Sequence, residues 1–220
     1  VLLAGPGLSQ RGTVRRLVGR LLEAAPESLH GAVADGDALN ALAATPGWHE
    51  RVRVPVVLTP HPGEMARLCD ASVADVQANR LRTALDYADA SGQVTVLKGA
   101  HTVVASPDGR AAVSPYANPL LAVAGTGDVL AGAIAGLLAQ GAAPFEAAAC
   151  GVFAHAMAAE TLAEGFGDRG LLASELLPEL PRTLRVIVHG RPARALATAP
   201  LGGLGDLASL AGLAGGLPPR

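Results

Sequence analysis

The stretch that could do chemistry most directly is a glycine loop that leads into an apolar helix. Its four residues are Gly125, Thr126, Gly127 and Asp128. Only small and aliphatic residues follow from Val129 until Gln140 and Gly141, and a glycine there is typical of a helix end. The first N–H groups of a helix have no intrahelical partners and carry partial positive charge, so this loop suits a phosphate group.

Asp128 would stand beside such a phosphate, and its carboxylate has three interpretations. It could anchor a metal ion, act as a general base, or simply start the helix, because Asp is common at helix N-termini. Gly-Thr-Gly-Asp by itself is a weak motif, so it does not distinguish among these three interpretations.

Short apolar runs predict strands at 1–4, 32–35, 54–58 and 94–97. A glycine turn, Gly5-Pro6-Gly7, follows the first run. Asp35 and Asp37 come at the end of the second run, where they could hold a metal, although capping of the next helix is the commoner role of such acids. Loops at strand ends are where α/β sheets bind their ligands.

The third run leads into Thr-Pro-His-Pro-Gly-Glu, residues 59–64. The two prolines predict a rigid turn, with no helix before Gly63. His61 is held between them on stiff backbone at a strand end. This placement makes His61 a better functional candidate than most single histidines.

Lys98 follows the fourth run and is the only lysine in the chain. A lysine that persists where every other basic residue is arginine indicates a need for its compact charge. A Lys-Gly turn at a strand end can offer an ammonium group and free amides to a phosphate. Beyond this turn, the runs 102–105 and 111–113, joined through Asp108-Gly109, predict a β-hairpin.

Composition limits the class of protein. The 220 residues suit one domain, 50% are hydrophobic and 16% are charged. A net charge of −2 without a basic block argues against a nucleic-acid surface, and no apolar run has the length of a membrane span. Cys69 and Cys150 have no metal or redox spacing, which predicts two buried thiols in a reducing cytoplasm. We expect a domain over 1–197 and a poorly ordered Gly/Ala/Leu-rich tail over 198–220.

Between the predicted strands, apolar residues recur at the spacing of a helix. Thr13 is expected to cap a helix whose buried face is Val14, Leu17, Val18, Leu21 and Leu22. Further helices are expected to start near 38–43, to span 72–91 and 144–164, and to run from 170 to about 181, with 186–188 as an edge strand or no element. Gly132 and Gly136 are expected to allow close packing against the sheet. Alternating strands and helices predict a mostly parallel sheet, covered on both faces, with the polar loops at one edge.

Three motifs together resemble those of a known family. They are Thr-Pro-His-Pro-Gly-Glu at 59–64, Lys-Gly-x-x-Thr at 98–102, and Asn118-Pro119 followed by Gly-Thr-Gly-Asp-Val-Leu-Ala-Gly. This set resembles the ADP/ATP-dependent NAD(P)H-hydrate dehydratases of the ribokinase-like carbohydrate-kinase superfamily. The resemblance extends from Gly5 to about Pro181, with Ser9 and Glu175 as departures. It implies a three-layer αβα fold, with further N-terminal strands that this sequence lacks.

The resemblance also implies roles for individual residues. Nucleotide binding would fall to Lys98, Gly99, Ala100, His101, Thr102, Gly125, Thr126 and Gly127. Substrate binding would fall to Gly5, Gly7, His61 and Asp128, with Asp128 also the catalytic base. Glu64 would either orient its turn or help to bind magnesium. ADP or ATP with Mg²⁺ is the expected cofactor, and hydrated NADH and NADPH are the expected substrates.

The implied activity is nucleotide-dependent dehydration of the 6S form of the hydrate, by phosphorylation of its hydroxyl and elimination of phosphate. One alternative is a hydroxyethylthiazole- or sugar-type kinase of the same fold, which is not expected to carry the 59–64 motif. Another is a non-catalytic fragment that binds nucleotide. A homo-oligomer and a functional link to an NAD(P)H-hydrate epimerase are further expectations, with no nucleic-acid or membrane partner.

Overall fold

The computed structural model describes residues 1–26 and 28–190, except for the side chain of Arg15. In this part of the chain the strands β1–β6 are Leu2–Ala4, Ala32–Ala34, Val56–Leu58, Val94–Leu97, Val103–Ala105 and Ala111–Val113. The helices α1–α9 are Gly12–Glu23, Asp37–Ala43, Trp48–Arg51, Pro62–Cys69, Val73–Ala78, Arg80–Ser91, Thr126–Ala139, Pro144–Phe166 and Ala173–His189, and a 3₁₀-helix spans Pro119–Leu121. The tail expected at 198–220 and the domain limit at 197 lie outside the described residues.

The strands form one sheet in the order β1-β2-β3-β4-β5-β6. β1 to β4 are parallel, and β5 and β6 add to β4 as antiparallel neighbours. The strand predictions are confirmed, with bounds shifted by one or two residues. The predicted hairpin is confirmed as well: Gly109 has φ +86° and donates its N–H to the carbonyl of Ser106.

Helices cover both faces of the sheet because successive strand residues point to opposite sides. One face packs against α1, α2 and α4–α6 through Ala32, Ala34, Val56, Leu58, Leu97, Val103 and Ala105. The other face packs against α7 and α8 through Val33, Val57, Val94, Val96 and Val104. The predicted three-layer α/β architecture is therefore confirmed.

Helix α1 departs from its prediction. It begins at Gly12, one residue before the expected cap Thr13, and its N-cap Arg11 makes no side-chain capping bond. Val18 and Leu22 are buried, but Leu17 and Leu21 are 50% and 41% exposed. Because α1 packs on α2 and the edge of the sheet, only the inner part of the apolar stripe is covered.

The single helix expected over 72–91 is two helices. Asn79 lies between α5 and α6 with φ −134° and ψ 42°, outside the helical region. The hydroxyl of Ser72 accepts the N–H of Asp75, and the Asp75 carboxylate accepts the N–H of Ser72 in return. This capping box accounts for the start of α5.

Helix α9 continues to His189, so the expected end near Pro181 is wrong and residues 186–188 are helical. Prolines at 178 and 181 each remove one backbone donor. Leu176, Leu180 and Leu184, spaced four residues apart, pack with residues of α8. Packing of this stripe maintains the helix past both prolines.

Two expectations about small residues are wrong. Cys150 is exposed and Cys69 is partly exposed, although both are free thiols as predicted. Gly132 and Gly136 do not pack closely, because a Cβ at either one would meet no atom of the described residues within 4 Å. The close approach is at Gly151 of α8, where a Cβ would lie 2.7 Å from Cγ1 of Ile134.

Within residues 1–26 and 28–190, no helix combines the length and apolarity needed to cross a membrane.

Candidate active site

The loops after β1 and β2 are in direct contact. Gly5 has φ +132°, and a Cβ there would lie 1.6 Å from the carbonyl oxygen of Asp35. Only glycine fits this position, both for its backbone conformation and for the approach of the neighbouring chain. Beyond the turn, Ser9 donates its N–H to Oδ2 of Asp37 at 2.7 Å. The predicted convergence of strand-end loops begins here.

A buried ion pair joins the end of β2 to the end of β4. Asp35 is 2% exposed, and its Oδ1 accepts from Nζ of Lys98 at 2.6 Å and from the hydroxyl of Thr59 at 2.7 Å. The Lys98 ammonium group is also 3.9 Å from Oε2 of Glu64. It therefore lies close to two carboxylates, with Asp35 as its hydrogen-bonded partner.

These contacts favour neither the capping nor the metal-binding interpretation of Asp35 and Asp37. The N-cap of α2 is Gly36, and no described side chain caps this helix, so the capping role expected of the acids is wrong. Asp35 is instead committed to Lys98 and Thr59. Among the residues that the structure describes, no cluster of three or more His, Cys, Asp or Glu side chains could hold a metal ion.

His61 caps the helix that follows β3. Its Nδ1 accepts the N–H groups of Gly63 at 3.0 Å and Glu64 at 3.3 Å. The helix begins at Pro62, earlier than expected, because proline is well tolerated at the first helical position. With Nδ1 as acceptor, a neutral ring carries its proton on Nε2. Burial lowers the pKa of His61, and the charges of Lys98 and Arg67 lower it further.

Glu64 completes this capping box. Its Oε2 accepts the N–H of His61 at 2.8 Å, and its Oε1 is 3.4 Å from Nε2 of the same histidine. The residue is 5% exposed, and burial raises the pKa of its carboxyl group. Of the two roles expected for Glu64, orientation of the turn is the one that these contacts support.

The glycine loop leads into α7 as predicted. Gly125, at φ +90°, is the N-cap, and the hydroxyl of Thr126 donates to the carbonyls of Leu121 and Val123, at 2.8 Å each. Thr126 therefore uses its side chain to shape the loop. Asp128 lies exposed on the first turn.

The amides at the start of α7 lie beside the Lys98 ammonium group. Those of Gly127 and Asp128 donate to no other backbone group in the described part of the chain. A Cβ at Gly127 would lie 3.2 Å from Nζ of Lys98. Unpaired amides, the positive end of a helix and an ammonium group thus meet at one point, which is the chemistry of an anion site.

The segment from Lys98 to Thr102 forms a tight turn. Gly99 has φ +137° and His101 has φ +53°, both in the left-handed range. The hydroxyl of Thr102 donates to the carbonyl of Gly99 at 2.9 Å, and Nδ1 of His101 is 3.1 Å from the carbonyl of Ser114. Within residues 1–26 and 28–190, the amides of Gly99 and Ala100 donate to no backbone carbonyl. They add further donors at the same edge of the sheet.

Two residues beside the site were not assigned to it from sequence. His155 of α8 is 6% exposed and hydrogen-bonds the backbone of Thr126, and burial lowers its pKa to about 4. A polar side chain inside an Ala-rich helix is the only signal that the sequence gives. Arg80 donates to the carbonyls of Leu97 and Lys98. Nothing in the sequence around Arg80, which starts a polar helix, indicates that it lies beside the site.

Comparison with known proteins gives a consistent set of matches. The sequence model of a family described as NAD(P)H-hydrate dehydratase matches residues 1–182. A bifunctional NAD(P)H-hydrate repair enzyme of Moorella thermoacetica is 47% identical over 185 residues, which are 84% of this chain and 34% of that protein. The chain thus spans about a third of this relative's length.

Two solved structures share the fold. The ADP/ATP-dependent NAD(P)H-hydrate dehydratase of Bacillus subtilis, co-crystallised with ATP and Mg²⁺, is similar with a TM-score of 0.74 and 36% identity, over 83% of this chain and 63% of that one. A ribokinase-like superfamily protein of Enterococcus faecalis has a TM-score of 0.69 and 29% identity, over 84% of this chain and 62% of that one. The expected ribokinase-like architecture is confirmed by these neighbours.

Proposed function

The chain belongs to the NAD(P)H-hydrate dehydratase family, and from that premise we propose that it dehydrates hydrated NADH or NADPH in a nucleotide-dependent reaction. One observation carries the proposal. The Lys98 ammonium group lies beside the unpaired amides of Gly127 and Asp128, and the Asp128 carboxylate is on the same helical turn. A phosphate site and an exposed carboxylate base are therefore adjacent, as a phosphoryl transfer to a hydroxyl group requires.

The first step is phosphoryl transfer. Asp128 takes the proton of the substrate hydroxyl group as the oxygen attacks the terminal phosphorus of the nucleotide. The bond to the remaining nucleotide breaks, which leaves AMP from ADP or ADP from ATP. The site residues Lys98, Gly99, Ala100, His101, Thr102, Gly125, Thr126 and Gly127 position the phosphates.

The second step is elimination. The carbon–oxygen bond of the phosphate ester breaks and inorganic phosphate leaves. The neighbouring ring carbon loses a proton, and the electron pair of that C–H bond restores the ring double bond. Atoms balance, because the water added in the hydrate departs as the oxygen of phosphate and two protons.

His61, Gly5 and Gly7 serve the substrate side of the site. Because Nδ1 of His61 is used in the helix cap, Nε2 carries the proton of the neutral ring. Nε2 lies 3.4 Å from Oε1 of Glu64, but the side chain is 52% exposed, so a substrate acceptor can compete with Glu64 for this N–H. The carboxamide oxygen of the hydrated nicotinamide is a matching acceptor. Gly5 allows the first loop to pack against the carbonyl of Asp35, which places the turn that contains Gly7 beside this edge of the site.

Magnesium fits the site as an ion held mainly by the nucleotide. Mg²⁺ in phosphoryl-transfer enzymes usually takes one or two carboxylates, with phosphate oxygens and waters completing the shell. Asp35 is hydrogen-bonded to Lys98, Glu64 accepts the N–H of His61, and Asp128 is assigned as the base, so phosphate oxygens and waters would supply most of the ligands. When bound, the ion would neutralise phosphate charge.

A cavity beside the Lys98–Thr102 turn has room for the nucleoside part of the nucleotide. It measures about 390 Å³ and is lined by residues that include Tyr116, Asn118, Pro119, Glu160 and Asp168. The carbonyl of Tyr116 accepts the N–H of His101, which connects this cavity to the turn. Glu160 and Asp168 offer acceptors for amino and hydroxyl groups.

The wider setting follows from the same proposal. Two free thiols fit a cytoplasmic location, where reduced nicotinamide cofactors are used. An NAD(P)H-hydrate epimerase would act beside this enzyme by supplying the 6S substrate, and a homo-oligomer is its expected state. The family match favours the dehydratase over the hydroxyethylthiazole- or sugar-type kinase and over a non-catalytic fragment.

Recovery of NADH from its hydrate tests the proposal. The purified chain is mixed with hydrated NADH, magnesium and either ADP or ATP, and the near-ultraviolet absorbance of NADH is followed. We expect nucleotide-dependent recovery that falls by roughly 10²- to 10⁴-fold in Asp128→Asn, the range for loss of a general base, while nucleotide binding is retained.

Asp89→Asn, an exposed change on α6, is the matched control and should leave the rate unchanged. Near-normal turnover in Asp128→Asn would show that Asp128 is not the base. Nucleotide binding without any recovery of NADH in the unsubstituted chain would contradict the dehydratase activity.

A further inference from the structure

The guanidinium group of Arg80 lies beneath the end of β4. Arg80 is the first residue of α6, seventeen residues before Leu97. Its Nη2 donates to the carbonyl of Leu97 at 2.9 Å and to that of Lys98 at 3.3 Å. Its Nη1 donates to Oε1 of Gln77 at 2.8 Å. The planar group is therefore fixed at three points.

The turn after Lys98 folds directly against this group. A Cβ at Gly99 would lie 3.1 Å from Nη1 of Arg80 and 3.3 Å from its Nη2. Gly99 also has φ +137°, which L side chains rarely adopt. The backbone at Gly99 thus takes its path with Arg80 as the supporting surface.

Among the described residues, the guanidinium group of Arg80 has no acidic partner. In residues 1–26 and 28–190, no carboxylate lies within 4.0 Å of its guanidinium nitrogens. Arg82, two residues further along α6, is by contrast 79% exposed and paired with Asp86 at 2.8 Å. One helix therefore carries a half-buried arginine directed at the turn and an ordinary surface arginine.

We propose that Arg80 is a positioning residue for nucleotide binding. It holds the carbonyl groups of Leu97 and Lys98, whose negative ends would otherwise repel phosphate, and it leaves the amides of Gly99 and Ala100 available to the ligand. Its uncompensated charge adds to that of the Lys98 ammonium group. This inference rests on the proposed function, because it takes ADP or ATP as the ligand of the turn.

Calorimetric titration with ADP and with ATP tests the proposal directly. We expect Arg80→Gln to weaken binding of both by about tenfold or more, since it removes a charge-assisted double contact. The KM for nucleotide should rise by a similar factor, while kcat and the KM for hydrated NADH stay within about twofold of the unsubstituted values. Arg80→Lys should bind nucleotide more weakly than the unsubstituted chain and more tightly than Arg80→Gln, because an ammonium group keeps the charge but lacks the planar fork of donors.

Arg82→Gln is the matched control and should bind nucleotide as the unsubstituted chain does. Hydrogen exchange gives a second measurement: amides 98–102 should exchange faster in Arg80→Gln and at the original rate in Arg82→Gln. If Arg80→Gln fails to fold, the same comparison is made with Arg80→Lys.

Unchanged nucleotide binding in a folded Arg80 variant would overturn the inference. Equal losses in both KM values and in kcat would overturn it too, because they would indicate general disruption. Since the titration needs no turnover, a chain that binds nucleotide without dehydrating its substrate would contradict only the proposed function. A chain that binds no nucleotide would contradict both.

Discussion

His155 lies under the first turn of α7, and its titration should make the fold sensitive to acid. Burial lowers its pKa from 6.5 to about 4 in the folded chain. Between these values the unfolded chain binds a proton that the folded chain does not, so stability is lost as pH falls from about 6.5 towards 4. A shift of this size corresponds to about 2 kcal/mol of unfolding free energy lost between pH 7.5 and pH 5.

Urea unfolding at the two pH values, with His155→Gln for comparison, measures this contribution. Between pH 7.5 and pH 5, the free energy of unfolding should fall by about 2 kcal/mol less in the variant than in the unsubstituted chain. The pKa of His61 is lowered as well, and this contribution is common to both proteins, so the comparison isolates His155. Equal acid sensitivity in the two proteins would show that His155 does not remain neutral in the folded state.

The sequence could identify single residues of the site but not their partners. Lys98 was recognisable as the only lysine, and His61 by its two flanking prolines. The pairing of Lys98 with Asp35 joins residues 63 positions apart, and no local spacing records such a contact. Asp35 is consequently predicted to be a cap, the commoner role of an acid at a strand end, or a metal ligand.

At the scale of elements, apolar periodicity located most strands and helices and failed where backbone or tertiary effects decided. Asn79 divides the helix expected over 72–91, and its effect depends on one pair of dihedral angles. Packing of the leucine stripe on α8 extends α9 past two prolines, which local propensity alone would not allow. The first error arises from a local break in the backbone, and the second arises because propensity is a weak prior when tertiary contacts oppose it.

The packing of α7 on α8 predicts opposite effects for two glycine-to-alanine changes. Gly132→Ala, in the exposed middle of α7, should stabilise the fold by about 0.5–1 kcal/mol, because alanine reduces the entropy lost on helix formation. Gly151→Ala should destabilise it by about 1–3 kcal/mol through overpacking, since the new carbon would lie 2.7 Å from Ile134.

Thermal or urea unfolding of the two variants measures these changes. Gly136→Ala serves as a second exposed control, because a Cβ there also meets no atom within 4 Å. Destabilisation by Gly132→Ala would contradict the open surroundings of that residue, and no effect of Gly151→Ala would contradict the close contact between the helices.

At the scale of the whole molecule, parallel topology made the position of the site predictable. The carboxyl ends of β1 to β4 share one edge, so the loops after them had to lie near one another. The hairpin β5–β6 then returns the chain so that α7 and α8 cover the opposite face. Lys98, at the end of β4, and Gly127 of α7 meet only because both faces are covered, and no local pattern in the sequence records this contact.

The phosphate site is formed by the end of β4 and by the start of α7, which packs on one face of the sheet. Nucleotide bound there should therefore stabilise the fold as a unit. A ligand that binds only the folded chain at 100 times its Kd adds about 2.7 kcal/mol, which for a domain of this size raises Tm by roughly 5–10 °C. Calorimetric melting with saturating ADP or ATP and magnesium measures the shift. Lys98→Met should lose most of it and Asp128→Asn should keep it, because Asp128 acts on the substrate hydroxyl group. An undiminished shift in Lys98→Met would show that the ammonium group contributes nothing to phosphate binding.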